Sequence, residues 1–204
     1  ANEEVVALEA EAMIAGVVRR HERIRGTTTE GAAYHANDPA LLDWVQTTVV
    51  YGFSQAHHAF AAALAPAERE AFVRDSRPAA ELYGAFGAPK TAAELDAALE
   101  AAAGRLAPSP IIAEFLDIMT REAVFPRPFG PLQRRLVKAA VDILPPAIRR
   151  RLELGPRWTL SALDRTIVRR ATRIVDGIVV PSAPPAQASL RLGLPADFLY
   201  RRGG

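Results

Sequence analysis

The sequence contains no cysteine, and this absence removes several kinds of site at once. Disulfides, thiolate ligation of iron, cysteine-based zinc sites and cysteine nucleophiles are all excluded. An excess of charge of one sign is also missing, because 25 basic and 23 acidic residues leave a formal charge of only +2. We therefore expect no nucleic-acid partner, since proteins that bind nucleic acid usually carry a marked basic surface.

Long apolar runs are absent as well. No uninterrupted run approaches the ~18 residues that a membrane-spanning helix needs, so we expect no membrane span. The first residues are acidic rather than basic, unlike a secretory signal, which favours a cytoplasmic location. The chain also begins without Met, and we expect further residues upstream of Ala1.

The common nucleotide-binding and hydrolase motifs are missing: there is no P-loop, Gly-rich dinucleotide turn, Gly-x-Ser-x-Gly elbow or His-Glu-x-x-His pair. None of the four histidines follows a glutamate by three positions, which excludes the ferritin-like di-iron pattern. His57 and His58 are adjacent, so on a helix their side chains diverge by about 100°. We do not expect them to bind one metal ion together.

What the sequence does contain predicts helices. Half of its residues are apolar, Ala, Leu, Glu and Arg are abundant, and the period-two pattern of strands is scarce. We predict one all-α domain over residues 1–204, a bundle of about seven helices with no convincing strand. The Pro- and Gly-rich segment 181–204 is expected to be an extended tail.

Caps and stops give the expected helix boundaries. Asn2 and Gly26 bound the first helix, which runs through Arg25, and Asp38-Pro39 opens a second. This second helix runs to about Leu64. The five remaining expected helices are 66 to about 87, 91–104 with a capping box at Thr91 and Glu94, one from Ser109-Pro110, one from Pro131 to before Pro145, and one from Thr159 or Ser161 to about Val175.

One histidine lies on an apolar stripe of the first predicted helix. Met13, Val17, His21 and Ile24 are spaced four, four and three residues apart, so they share one face that we expect to point into the core. Two interpretations stay open. His21 is either a buried neutral histidine with one hydrogen-bond partner or an axial ligand of haem iron, with neighbouring arginines such as Arg25 meeting the propionates.

Two blocks carry a family resemblance. His21-Glu-Arg-Ile-Arg-Gly26 and the segment from Tyr34 through Asp38-Pro39 to Val50 resemble the central block of the latex-clearing-protein/MpaB-type oxygenases. The similarity continues through most of the chain, in the segments 64–70, 87–89, 91–95 and 144–146. Characterised members of that family cleave or oxidise isoprenoid chains with haem b.

The resemblance implies a role for His21. The histidine of the family's His-x-x-Val-x-Gly block is the expected proximal haem ligand, and Ile24 stands here at the Val position. Relatives also carry an Arg- and Thr-containing helix upstream of this histidine, and we expect the chain to begin downstream of it. The resemblance therefore implies one metal ligand, His21, for the iron of haem b.

The second block departs from its relatives, which commonly read Trp-Val-His-Ala-Thr-Leu-Val-Glu-Ser. Gln46 stands at the His position, Tyr51 at the Glu and Gly52 at the Ser. We expect Trp44, Gln46 and Thr48 to line the cofactor, against the alternatives that Trp44 is a core residue and that the two polar side chains bond only to backbone.

One face of the second helix is a candidate cavity wall. Its residues are Leu42, Gln46, Val49, Phe53, His57 and Phe60. Charged runs such as 149–151 and 169–170 are interpreted as solvated faces.

Two functions are compatible with these observations. The first is a haem-dependent oxygenase or oxidase that takes O₂ and an apolar, isoprenoid-like substrate. The second is a cofactor-free helical module that binds a lipid-like ligand or a partner protein, an alternative that the Gln46 and Tyr51 departures keep open.

Overall fold

The computed structural model describes residues 3–28, 31–122 and 127–200. Most of these residues are helical, as the sequence predicts. The α-helices are α1 (Glu3–His21), α2 (Pro39–Ala56), α3 (Pro66–Asp75), α4 (Arg77–Leu82), α5 (Ala92–Ala103), α6 (Pro110–Arg121), α7 (Gly130–Asp142), α8 (Pro146–Arg151), α9 (Ala162–Asp176) and α10 (Pro184–Arg191). A short antiparallel hairpin pairs β1 (Arg25–Thr27) with β2 (Ala33–His35).

Three predicted starts are confirmed by hydrogen bonds from backbone to cap side chains. The Thr91 hydroxyl accepts from the backbone N–H of Glu94 at 3.1 Å, and the Ser109 hydroxyl accepts from Ile111 at 3.3 Å. The Ser161 hydroxyl likewise accepts from Asp164 at 3.0 Å. Each bond satisfies one of the donors that a helix start leaves unpaired, which is why these boundaries were legible in the sequence.

The end of the first helix was predicted wrongly. α1 ends at His21 rather than Arg25, and Gly26 lies in β1 instead of stopping a helix. The reason is tertiary: Gly26 pairs with Tyr34, whose ring lies so close that a Cβ on Gly26 would meet the Tyr34 hydroxyl at 2.5 Å. The small hairpin also corrects the expectation of no strand. Asn2, the predicted cap, lies outside the described residues.

Two other predicted helices are interrupted. The second helix ends at Ala56, and residues His57–Ala61 form a π-helical turn in place of a continuation to Leu64. The predicted helix from Pro66 to Gly87 divides into α3 and α4, because the Ser76 hydroxyl donates to the Val73 carbonyl at 2.7 Å where α3 ends. Pro78 has no N–H to continue the helical ladder, so a new helix starts there.

The chain divides into two units, and two of the boundaries between them fall within α2 and α9. The first unit comprises the described residues of 1–46, 77–88 and 173–204, and the second comprises those of 47–76 and 89–172. The expectation of one domain stays a prediction. The C-terminal segment was expected to be extended, but its described part contains α10 and a 3₁₀ turn at Phe198–Tyr200.

Each unit has its own core. In the first unit Ala80, Ala85 and Ala88 are buried against Leu42. The second unit holds two larger clusters, and Val73 and Leu95 are among its completely buried side chains. The members of those two clusters are Phe60, Ala139, Leu160 and Val168, and Leu116, Val137, Val141 and Trp158.

A nearly buried carboxylate joins three helices of the second unit. Asp142 at the end of α7 is only 9% exposed and accepts from Arg149 of α8 and Arg165 of α9. We expect Asp142→Asn to lower the free energy of unfolding by about 2 kcal/mol, since it removes one partner from a largely desolvated ion cluster. Urea denaturation measures this. Asp75→Asn, at an ion pair whose two side chains are about two-thirds exposed, is the control and should leave the midpoint unchanged.

Candidate functional site

His21 is the last residue of α1, following Arg19 and Arg20. Its side chain is half-buried, but the stripe to which it belongs does not face the core as predicted, because Met13 is 61% and Ile24 50% exposed. The core-facing position is Ile14, which is 8% exposed. The prediction failed because α1 is apolar on two neighbouring faces. The face that packs contains Ile14, one residue after Met13.

The imidazole of His21 accepts and donates no hydrogen bond within residues 3–28, 31–122 and 127–200. The partner required by the buried-histidine interpretation is therefore not found among these residues. Both ring nitrogens are free of described side chains and backbone. This is the state that a histidine needs in order to bind a metal through one nitrogen.

The loop before α2 holds the end of α1 in place. The Asn37 side-chain amide donates to the Val18 carbonyl at 3.0 Å, and the His35 Nε2 lies 3.1 Å from the Glu22 carbonyl. The Asp38 carboxylate accepts from the His35 N–H at 2.8 Å, so it closes this loop rather than capping α2 through its side chain as predicted. His21 therefore lies at a helix end fixed by several polar contacts.

Asn37 is a residue that the sequence analysis missed. Its Oδ1 atom is buried and has no hydrogen-bond partner among the described residues. A buried acceptor without a donor is unfavourable and is uncommon in folded proteins. The Nδ2 atom of the same amide donates to the Val18 carbonyl of α1, about one turn before His21. The unsatisfied Oδ1 therefore lies in the loop that holds this end of the helix.

The α2 candidates do not share one face. Trp44 and Thr48 are one turn apart and lie on the same side of the helix, whereas Gln46 is about 200° away from each. Trp44 and Gln46 are half-buried, and Thr48 is exposed. These three side chains therefore do not all point in the same direction along α2, and their contact with a cofactor stays a prediction.

The predicted cavity wall on α2 is not formed as one surface. Phe53 is 68% exposed, while Phe60 is buried. The intervening π-helical turn changes the number of residues per turn, so Phe60 no longer follows the phase of the preceding helix. The buried positions of α2 are instead Thr47, Val50 and Ser54.

Arg25 lies in β1 opposite His35 and is exposed. No carboxylate of the described residues forms an ion pair with it. Its guanidinium is thus available to an anionic group such as a propionate. How Arg25, Trp44, Gln46 and Thr48 contribute to a cofactor site stays a prediction.

Tyr51, where the family resemblance leads us to expect Glu, has a structural role in the second unit. Its hydroxyl donates to the Ile143 carbonyl at 2.6 Å. Burial raises the pKa of the Tyr51 phenol, and the nearby Arg69 guanidinium opposes that shift. The departure from the family thus replaces an acidic side chain by a neutral donor.

The raised pKa of Tyr51 predicts a dependence on alkaline pH. Folding favours the neutral phenol, so its contribution to stability is complete below the unfolded pKa near 10 and is lost as the pH rises through the higher folded pKa. Tyr51→Phe should lower the free energy of unfolding by about 1 kcal/mol at neutral pH, because the hydrogen bond is lost. Between pH 9 and 11 the variant should then lose less stability than the wild-type protein does. Urea midpoints across that range measure the difference, and equal alkaline slopes for both proteins would contradict it.

Within the described residues, no group of three or more His, Asp or Glu side chains is arranged to hold a metal ion. The predicted haem site does not require such a group, because haem brings its own ring nitrogens and the prediction assigns it one protein ligand, His21. No helix of the described segments combines the length and apolarity needed to cross a membrane.

A comparison with protein families finds one match that spans most of the chain. The catalytic domain described as "ER-bound oxygenase mpaB/B'/Rubber oxygenase" matches residues 6–176. No curated protein and no solved structure matches the chain. The matched range includes His21 and its loop, α2 and every helix through α9. The chain therefore belongs to the ER-bound oxygenase mpaB/B'/Rubber oxygenase catalytic-domain family.

Proposed function

We propose that this protein is a haem b-dependent oxygenase that acts on an apolar, isoprenoid-like substrate and O₂, with His21 as the axial ligand of the haem iron. The family supplies the oxygenase activity. The observation that carries the cofactor assignment is the half-buried imidazole of His21, which no described residue engages and which lies at a fixed helix end.

Exposed side chains close to His21 in the sequence support this proposal. Met13 and Ile24 are exposed apolar side chains, and apolar surface of this kind is what a porphyrin ring would cover. Arg25 is exposed and forms no ion pair with a described carboxylate, which suits it to a propionate. In the adjoining loop, the buried Oδ1 atom of Asn37 lacks a hydrogen-bond donor among the described residues.

In this proposal the side chains bind and orient rather than transfer protons. Haem, when bound, supplies the oxidative chemistry. His21 would offer one ring nitrogen, and the polar loop of His35, Asn37 and Asp38 contacts the end of α1 that carries it. The exposed apolar side chains Met13 and Ile24 would suit contact with an apolar substrate better than with a charged one.

A second candidate is a cofactor-free module that binds a lipid-like ligand. One observation favours it: the cavity beside α1, about 350 Å³, does not include His21. Its lining residues are Glu11, Ile14, Ala15, Val18, Arg19 and Leu82. A colourless protein that takes up no haem would favour this candidate.

The experiment is a haem titration of the full chain followed by an oxygen-uptake assay. We expect a Soret band that saturates at one haem per chain, and haem-dependent O₂ consumption with squalene as an apolar polyene probe. Apoprotein with squalene, and free haem with squalene, are the controls. Haem uptake without O₂ consumption would support the haem site but refute the isoprenoid-like substrate. No haem uptake would refute the proposal as a whole.

A further inference from the structure

The second unit contains a cavity of about 950 Å³ that has no part in the proposed haem site. It lies among α2, α3, α5 and α8. Its lining residues are Tyr51, Ser54, Gln55, His58, Leu64, Pro66, Arg69, Glu70, Ala92, Ala93, Asp96, Leu99, Glu100, Ala103 and residues 145–148. The volume is within the range of cavities that hold drug-sized molecules.

Most polar groups of the wall already have protein partners. Arg69 binds both oxygens of Asp96, at 2.8 and 2.5 Å. Tyr51 donates to the Ile143 carbonyl, and Ser54 donates to the Val50 carbonyl at 2.8 Å. Because these donors are occupied, the wall offers a ligand mainly Leu, Pro, Ile and Ala side chains. The cavity therefore fits a largely apolar molecular body.

The charge of the lining is unbalanced. Three carboxylates, those of Glu70, Asp96 and Glu100, line the cavity together with one guanidinium, that of Arg69, so these four groups carry a formal net charge of −2. One oxygen of Glu70 accepts from the Ala92 N–H at 2.9 Å. Glu100 is exposed and has no hydrogen-bond or ion-pair partner among the described residues.

We propose that this cavity is a binding site for an amphipathic organic cation. The apolar wall would hold the body of the ligand, and Glu100, with the free oxygen of Glu70, would attract its positive charge. The ring of Tyr51 adds an aromatic surface of the kind that binds cations. An anionic amphiphile would be repelled by the same carboxylates.

The test uses three fluorescent probes with apolar bodies on the full chain. Berberine is a cation, Nile red is neutral and anilinonaphthalene sulfonate is an anion. We expect one berberine to bind per chain, more tightly than either of the other two probes. Its affinity should fall as salt is added, because exposed charges are screened. Equal binding of all three probes would show that the site does not select charge and would overturn the proposal.

Two variants locate the site. Ala103→Trp places an indole in the cavity, and we expect berberine affinity to fall roughly tenfold because the ligand volume is occupied. Ala101→Trp, on the exposed side of the same helix α5 and outside the lining, is the matched control and should bind as wild type. Unchanged affinity in a folded Ala103→Trp variant would place the bound berberine elsewhere.

Glu100→Gln tests the charge without a risk to folding, since the side chain is exposed. Berberine affinity should fall about threefold, the scale of a solvent-exposed ion pair, while Nile red binding stays unchanged. Weaker binding of both probes, or unchanged binding of both, would contradict the role of Glu100. None of these measurements requires haem, so their outcome is independent of the proposed oxygenase activity.

Discussion

His21→Ala is expected to abolish stable haem binding while the helical fold is retained. The substitution removes the imidazole that we assign to the iron. Because His21 is only half-buried and its stripe neighbours Met13 and Ile24 are exposed, no core cavity should form, and we expect a stability loss of about 1 kcal/mol or less. This is smaller than the cost expected for a core histidine. Haem titration followed at the Soret band, together with far-ultraviolet circular dichroism, separates the two effects.

His57→Ala is the matched control for that experiment. His57 is exposed, lies in the π-helical turn and is not at the position that the family resemblance assigns to the ligand. Haem content should stay nearly unchanged in this variant. If His57→Ala lost haem and His21→Ala kept it, the ligand would have been assigned to the wrong histidine.

Leu95→Ala is expected to have the largest effect on stability. Leu95 is completely buried in α5, which packs against α3 and α8 in the second unit. Removing its isobutyl group should lower the free energy of unfolding by about 3 kcal/mol, through lost burial and the cavity left behind. Urea denaturation followed by circular dichroism measures the change.

Leu163→Ala removes the same atoms from an exposed position of α9 and serves as the control. Leu163 lies in α9 and is 70% exposed, so we expect a change of about 0.5 kcal/mol or less. Similar losses in both variants would mean that the core of the second unit does not pack around Leu95 as described.

Local signals predicted much of the fold. The starts of α5, α6 and α9 depend on Thr91, Ser109 and Ser161, whose hydroxyls accept from backbone within three residues. Such contacts are encoded almost entirely in adjacent sequence. The all-α class followed from the same residues together with the scarcity of strand patterns.

The failures occurred where distant contacts decide the structure. Gly26 looked like a helix stop, but pairing with Tyr34 made it part of a strand. The π-helical turn after Ala56 leaves no local signature, and it rotated Phe60 out of the face that contains Phe53. Neither event can be derived from the residues of one helix alone.

The site was predictable in part. The resemblance identified His21, and the structure adds that no described residue occupies its imidazole. Helical spacing alone placed this histidine in the core, which was wrong because α1 has two apolar faces and spacing does not say which of them packs. Asn37 was missed for a similar reason: its sequence position in a loop gives no hint that its Oδ1 is buried without a partner.

Chemical rescue of His21→Ala with imidazole is the most direct measurement of the central claim, which is that His21 binds the haem iron. Added imidazole supplies the nitrogen that the substitution removes. We predict that wild-type protein shows a Soret band at one haem per chain, that His21→Ala lacks it, and that imidazole restores it to the variant. An unaltered Soret band in His21→Ala before imidazole is added, or a wild-type chain that never takes up haem, would contradict the account.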